Sequence, residues 1–329
     1  MPSSNPKVSI GLPVYNGERY LREALDSILA QTYRDFELIV CDNASTDATA
    51  AICAEYAARE PRIRYHRQPH NVGATANFNH AFALARGAYF KWAAHDDVLA
   101  PTWLEKCVAM LDQAPDAVLC QSLVELVDEQ GACLEVYDHT AFGTGSQSAS
   151  VRFAARLRPL DCQEIFALIR SDVLRRTGLI GYHLGGDRTL LIDLALLGRF
   201  VLVPEPLFLN REHPWRYKRQ HRYPSSELAW VTPGQGQRSR FASWRMLRTW
   251  VLCGKSLRSV HRRVAWGPER LRCYAQLLAS LRYRERWQYL LAEPLLLLDP
   301  KLVAKVKRIK RTVLRQDRAP ARASEPAPR

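Results

Sequence analysis

Four polar clusters interrupt otherwise apolar stretches of this 329-residue chain: "PVYNGE" from Pro13, "CDNASTD" from Cys41, "HDD" from His95 and "GGD" ending at Asp187. Pro13, Tyr15 and Glu18 combine a ring that can cover a nucleobase with a carboxylate that can accept from a base N–H or a ribose hydroxyl, and Asp42 offers a second such carboxylate. Taken alone, Asp42 with Asn43 reads first as a turn or helix-cap element. Asp96 and Asp97 are adjacent charges at the end of the apolar run "AYFKWAA". Hard carboxylate oxygens there can hold Mg2+ or Mn2+, which in turn neutralises a pyrophosphate. The plainer alternative is a turn before the helix that Pro101 introduces. Asp187 can take a proton from an attacking hydroxyl, or can cap the helix "RTLLIDLALL". His213 stands with Arg211 and Arg216 at the end of another apolar run. The imidazole can reach a metal or a diphosphate and the arginines can pair with phosphate oxygens; a solvated polar loop fits the same residues. Neither a glycine-rich dinucleotide fingerprint nor a Walker phosphate loop is present.

Residues so far apart act together only if the fold gathers them. "KVSIGL", "DFELIVCD", "IRYHRQ" and "AYFKWAAHDD" read as strands, separated by helical periodicity in "ERYLREALDSILAQT", "STDATAAICAEYAARE" and "GATANFNHAFALARG". Strand and helix alternating at this spacing predict a parallel sheet with right-handed crossovers, covered on both faces. Ligands in such sheets bind beyond the carboxyl ends of the strands, where three of the polar clusters fall. "TWLEKCVAMLDQ" predicts another helix, residues 116–165 read as strands and loops, and "RSDVLRRTGLI", "GGDRTLLIDLALLGRF" and "VLVPEPLFLNREH" follow as helix, helix and strand.

The combination is more specific than its parts. "VSIGLPVYNGERYLREALDSILAQTYRDFELIVCDNASTDATAAI", "NVGATANFNHAFALARGAYFKWAAHDDVLAP" and "GGDRTLLIDLALLGRF" together resemble the family 2 glycosyltransferases, densely from Lys7 to about Leu111 and more thinly to about His213. The resemblance implies an α/β GT-A fold, a Rossmann-like mostly parallel sheet with helices on both faces. It also implies inverting transfer from a nucleotide-activated sugar, usually a UDP-sugar, with Mn2+ or Mg2+. On that likeness Pro13, Tyr15, Glu18, Asp42 and Asn71 look like nucleotide contacts. Asp96 looks like the ribose-facing acid, Asp97 the metal anchor, with Asp96 and His213 as further metal contacts, and Asp187 the catalytic base. The chain departs from the family pattern at Ala94, where the first Asp of a longer acidic motif would stand, and at Gly186, where Glu is more usual.

The likeness divides the chain into a nucleotide-sugar half (1–115), an acceptor half (116–215), a basic helical extension (216–317) and a low-complexity, disordered tail (318–329). Charge follows this division. Up to residue 210 there are 19 basic and 25 acidic residues; beyond it the remaining 28 basic and 8 acidic residues give the chain its net +14. "SWRMLRTWVLCGKSLRSVHRR" and "LRCYAQLLASLRYRERWQYLLAEPLLLL" interleave Trp and Leu with Arg, and "KLVAKVKRIKRTVLRQ" sets Leu302, Val306, Ile309 and Val313 on one face. Such helices suit an anionic membrane surface, or they pack on the catalytic domain; both fit. Eight scattered cysteines without metal spacing, no signal peptide and no long apolar run predict a cytoplasmic protein, peripheral on the inner face of the plasma membrane if the helices bind lipid. The expected partners are a nucleotide-sugar donor and a glycan or lipid-linked acceptor, in cell-surface polysaccharide or glycolipid synthesis, with no nucleic acid. The rivals are a nucleotidyltransferase, which would carry a basic glycine-rich loop, and a nucleic-acid-binding protein acting through the basic third.

Overall fold

The computed structural model describes residues 5–138, 143–158, 162–216, 231, 247–282 and 286–294. The first half follows from the sequence pattern. Strands β1 (Val8–Val14) and β2 (Phe36–Asp42) are buried at every position, as expected for central parallel strands, and β3 (Ile63–Arg67) and β4 (Tyr89–Trp92) complete a parallel set in the order β3-β2-β1-β4. Successive side chains leave opposite faces, so Val8, Ile10, Leu12, Leu38 and Val40 enter one core while Ile39, Cys41, Phe90 and Trp92 face away from it. Helix α1 (Leu21–Leu29) buries Leu21, Ala24, Leu25 and Ile28 at helical spacing, and with α2 (Thr49–Arg59) it covers the first face. Helix α3 (Ala74–Ala83) lies on the other.

The chain then crosses to the second half through β5 (Val98–Leu99), α4 (Trp103–Gln113), β6 (Ala117–Val127) and β7 (Cys133–Tyr137). It continues through α5 (Ala149–Leu157), a 3-10 turn at Gln163–Phe166, β8 (Leu168–Arg170), α6 (Ser171–Arg175), α7 (Gly186–Leu197) and β9 (Arg199–Arg211). The sheet extends past β4 in the order β8-β6-β9-β5, with β7 paired to β6. Here β6 and β9 run parallel, while β8, β5 and β7 are antiparallel to their neighbours. Two expectations need correction. Residues 116–165 contain the helix α5, and the helix expected over "RSDVLRRTGLI" stops at Arg175, with Leu179 turning the chain at φ 54°.

Three further helices, α8 (Arg248–Arg263), α9 (Pro268–Ser280) and α10 (Arg286–Ala292), form the described part of the basic extension. Val260, Val264 and Cys273 join Phe153, Leu157, Ile192 and Leu196 in one cluster, so α8 and α9 pack onto α5 and α7. The helix expected around Leu302–Val313 and the tail 318–329 lie outside the described residues. Among the described residues no helix is long and apolar enough to cross a membrane, and all eight cysteines are free thiols.

Candidate active site

The loops that follow β1 and β2 are tied together by side chains. Asn16, at φ 51°, donates its N–H to Ser45 Oγ (3.0 Å) and accepts from Thr46 N (2.9 Å). Gly17 N donates to Thr49 Oγ1 (2.9 Å), Glu18 N to Asp47 (3.1 Å), and Glu18 Oε2 accepts from Ala48 N (2.9 Å). Glu18 therefore satisfies a free N–H at the start of α2 and fixes one loop against the other. Pro13 is buried in the carboxyl end of β1, whereas Tyr15 is 41% exposed at the mouth of these loops. Asp42 is fully buried, accepting from Ser45 N (2.8 Å) and Tyr65 Oη (2.9 Å), with Arg67 Nε at 3.3 Å. Of the two sequence readings of Asp42, the turn is the one observed: its carboxylate ties the loop after β2 to β3. Asn43 donates to Asn71 Oδ1 (2.9 Å) and accepts from Val72 N (2.9 Å), bringing the exposed Asn71 to the same edge.

The acid pair lies past the end of β4, beside the end of β9. Asp97 Oδ1 accepts from Asn210 Nδ2 (2.9 Å) and Arg211 N (3.1 Å). Burial, and then the negative charge of Asp96, push the Asp97 carboxyl up to about 7. For Asp96, burial acts in the same upward direction but is outweighed by His95, His213 and Arg216, which bring it down to about 2. His213 Nε2 lies 3.0 Å from Asp96 Oδ2, its ring 5.0 Å from that of Tyr20 and 6.3 Å from that of Trp215. The loops are in contact here, since a Cβ on Gly17 would fall 2.7 Å from His95 Cδ2. The Asn210 amide has its direction set from behind: its oxygen accepts from Gln163 Nε2 (2.8 Å) and Arg216 Nη2 (2.6 Å), so its NH2 faces Asp97.

These donors fit a divalent cation. Among the described residues no group of three His, Cys, Asp or Glu side chains converges, so these residues form no all-protein cage. Mg2+ and Mn2+ at nucleotide sites are commonly held by one or two carboxylates plus phosphate oxygens and water. Asp97, buried and pushed toward its protonated form, is the carboxyl that a cation would return to its charged state.

Two of the expected residues are engaged by protein partners. His213 Nε2 meets the Asp96 carboxylate, while its Nδ1 is buried without a hydrogen-bond partner. Arg211 is nearly buried, its guanidinium taken up by Glu23 (2.6 Å), the Asp96 carbonyl (3.2 Å) and the Glu129 carbonyl (3.0 Å), so it braces α1 and two loops. Arg216, bonded to Glu212 (2.7 Å) and Asn210, is the cation whose charge both Asp96 and Asp97 feel.

Asp187 lies in the first turn of α7, where the capping position belongs to Gly185 (φ 78°) and the Asp187 carboxylate accepts from Arg188 N (2.7 Å). Burial drives the Cys162 thiol up to about 12, and the Asp187 charge adds to that rise. Gln163, the residue after Cys162, bonds to Asn210, which bonds to Asp97. A Cβ at Gly186 would stand 2.2 Å from the Gly181 carbonyl oxygen, so the departure to glycine matches a close backbone approach. Sequence reasoning missed Gln163 and Asn210. A polar Asn inside the apolar run "PLFLNREH" was the one available signal.

The family described as Glycosyl transferase family 2 matches residues 9–177. EpsE of Bacillus subtilis strain 168 is 43% identical over 112 residues, 34% of this chain and 40% of that protein. An uncharacterized glycosyltransferase of Rickettsia felis is 37% identical over 132 residues, 39% of this chain and 21% of that protein. The matches to these curated relatives thus span less than half of their length. Among solved structures, S. aureus TarS 1-349 in complex with UDP-GlcNAc aligns with a TM-score of 0.54 at 17% identity, covering 86% of this chain and 91% of that one. The mannosyltransferase PcManGT from Pyrobaculum calidifontis, in complex with GDP-Man and Mn2+, aligns at 0.52 with 19% identity, covering 91% and 89%. At these identities the likeness to solved structures establishes the fold alone.

Proposed function

This chain belongs to glycosyl transferase family 2, and from that premise we propose that it transfers a sugar from a nucleotide-diphosphate sugar, with UDP the first base to try, to an acceptor hydroxyl with inversion. The observation that carries the reading is the acid pair at the sheet edge, Asp96 gripped by His213 and Asp97 by Asn210. In this account residues 1–115 bind the donor and residues 116–215 the acceptor. The loops bearing Pro13, Tyr15, Glu18, Asp42 and Asn71 receive the nucleotide, Asp96 faces the ribose, and Asp97 anchors Mn2+ or Mg2+. When bound, the cation would balance charge on the departing diphosphate. Arg216 adds a second positive charge on that side. Asp187 accepts the acceptor hydroxyl's proton as its oxygen attacks the anomeric carbon from the face opposite the leaving group. One C–O bond forms, one breaks, and the nucleoside diphosphate leaves. Fold neighbours in complex with UDP-GlcNAc and with GDP-Man and Mn2+ support screening both bases. The acceptor is a glycan or a lipid-linked precursor, consistent with cell-surface polysaccharide or glycolipid assembly.

The test is a transfer assay over UDP- and GDP-sugars, with the anomeric configuration of the product read by NMR. The expected product is inverted. Asp187→Asn should slow transfer by about 10²- to 10⁴-fold with nucleotide affinity kept. Retention of configuration, or full activity in the variant, would contradict the proposal.

A further inference from the structure

The outward surface of α8–α10 is not that of an ordinary solvated helical layer. On α8, Trp250 and Leu257 are 50% and 51% exposed and seven residues apart; on α9, Leu271 and Leu278 are 55% and 69% exposed at the same spacing. On α10, Trp287 and Leu291 stand four apart. Spacings of four and seven put each pair on one line down its helix. Trp266, at the turn between α8 and α9, is 77% exposed. Its turn is braced by Arg270, which donates to the Val264 carbonyl (2.7 Å) and lies 5.6 Å over the indole. The inner faces of α8 and α9 are already buried on α5 and α7, so these outward side chains are additional to that core.

Among the described residues of the extension, exposed charge has one sign. The two acids among the described residues of the extension are both used as helix caps: Glu269 accepts from Ser150 N (2.7 Å) and Ser148 Oγ (2.7 Å) at the start of α5, and Glu293 from Thr249 N (3.0 Å) and Trp250 N (3.3 Å) at the start of α8. Lys255, Arg258 and Arg262 are exposed on α8, and Arg282 in the turn after α9. An open groove of about 230 Å³ on α8 is formed by Leu247, Trp250, Val251, Gly254, Lys255 and Arg258, an apolar floor with a cationic edge.

We propose that this outer face docks on an anionic lipid membrane, with Trp266 and the exposed Leu and Trp side chains entering the headgroup region and the Lys and Arg side chains meeting lipid phosphates. Tryptophan favours that depth because its ring is apolar and its N–H is polar. The proposal stands apart from the catalytic reading, because none of these residues belongs to the acid-pair site.

The experiment is co-sedimentation of the full chain with vesicles of phosphatidylcholine containing about 30% phosphatidylglycerol, against pure phosphatidylcholine, at near-physiological salt. Tryptophan emission is read alongside. Wild type should bind only the anionic vesicles and shift its emission to the blue. Arg258→Gln with Arg262→Gln should weaken binding roughly 25-fold, about fivefold for each cation lost. Trp266→Ser with Leu278→Ser should reduce both binding and the blue shift. Retained UDP or GDP binding, or an unchanged circular dichroism melt, shows that each variant is folded. Wild-type protein that ignores anionic vesicles would overturn the proposal. So would vesicle binding indifferent to Trp266 and Leu278, or a dimer in sedimentation velocity that Leu278→Ser dissociates. Preferential binding to an RNA or DNA oligomer over the vesicles would overturn it as well.

Discussion

Lys91 places an amine in the centre of the sheet. It has no exposed surface, its Nζ donates to the Phe166 carbonyl, and it faces the rings of Trp103 (4.3 Å) and Phe208 (5.1 Å). Burial lowers its pKa from 10.5 to about 7, with Cys107 and Asp97 acting in the opposite direction. The folded pKa is depressed, so between about 7 and 10.5 the unfolded chain binds more protons than the folded one. Stability therefore rises with pH across that window, and the full penalty holds below it. The interval corresponds to about 4–5 kcal/mol as an upper figure. Lys91→Met keeps most of the stem volume and removes that penalty, but it leaves the Phe166 carbonyl without its donor, at a cost of about 1–3 kcal/mol. The variant should be more stable than wild type by about 1–3 kcal/mol near pH 7, and the gain should vanish or reverse near pH ~9.5. Urea unfolding of both proteins at the two pH values measures this directly. A variant less stable than wild type by the same amount at both values would refute the reasoning, because the lysine would then carry no desolvation penalty.

His213→Ala frees the Asp96 carboxylate from its imidazole and should weaken Mn2+-dependent nucleotide binding about 10- to 100-fold, as measured by calorimetry; unchanged affinity would remove His213 from the site. Gly186→Ala places a Cβ 2.2 Å from the Gly181 carbonyl and should lower Tm by several degrees, about 2–4 °C per kcal/mol of strain, so restoring a side chain there does not improve the protein.

The parallel half was legible because its signals are local. β1 and β2 are apolar runs buried at every position, and α1 shows Leu21, Leu25 and Ile28 at helical spacing. Helix α5 was not legible, for a physical reason. Its buried face includes Arg152 and Arg156, which a hydrophobic pattern counts as exposed. Arg152 is accommodated by the carbonyls of Ala195, Ser146 and Gln147, and Arg156 by Glu164, all contacts that depend on the fold. Strand β8 has three residues, too few for any period. At the candidate site the acids draw attention by type: Asp42 closes β2, Asp96 and Asp97 follow β4, and Asp187 lies in the first turn of α7. Direction gives no such signal. That Arg211 points into α1 and His213 toward Asp96, and that Gln163 and Arg216 orient the Asn210 amide, depends on partners 6 to 188 positions away in the chain.

The claim that Asp97 would hold a cation that balances charge on the donor diphosphate is tested most directly by calorimetric titration of UDP and GDP, each with and without Mn2+, into wild type and Asp97→Ala. The account predicts that one of the two binds with Mn2+, weakly or not at all without it, and that the substitution abolishes the metal dependence while the fold is retained. Equal binding with and without the metal, or metal-dependent binding that survives in Asp97→Ala, would contradict it.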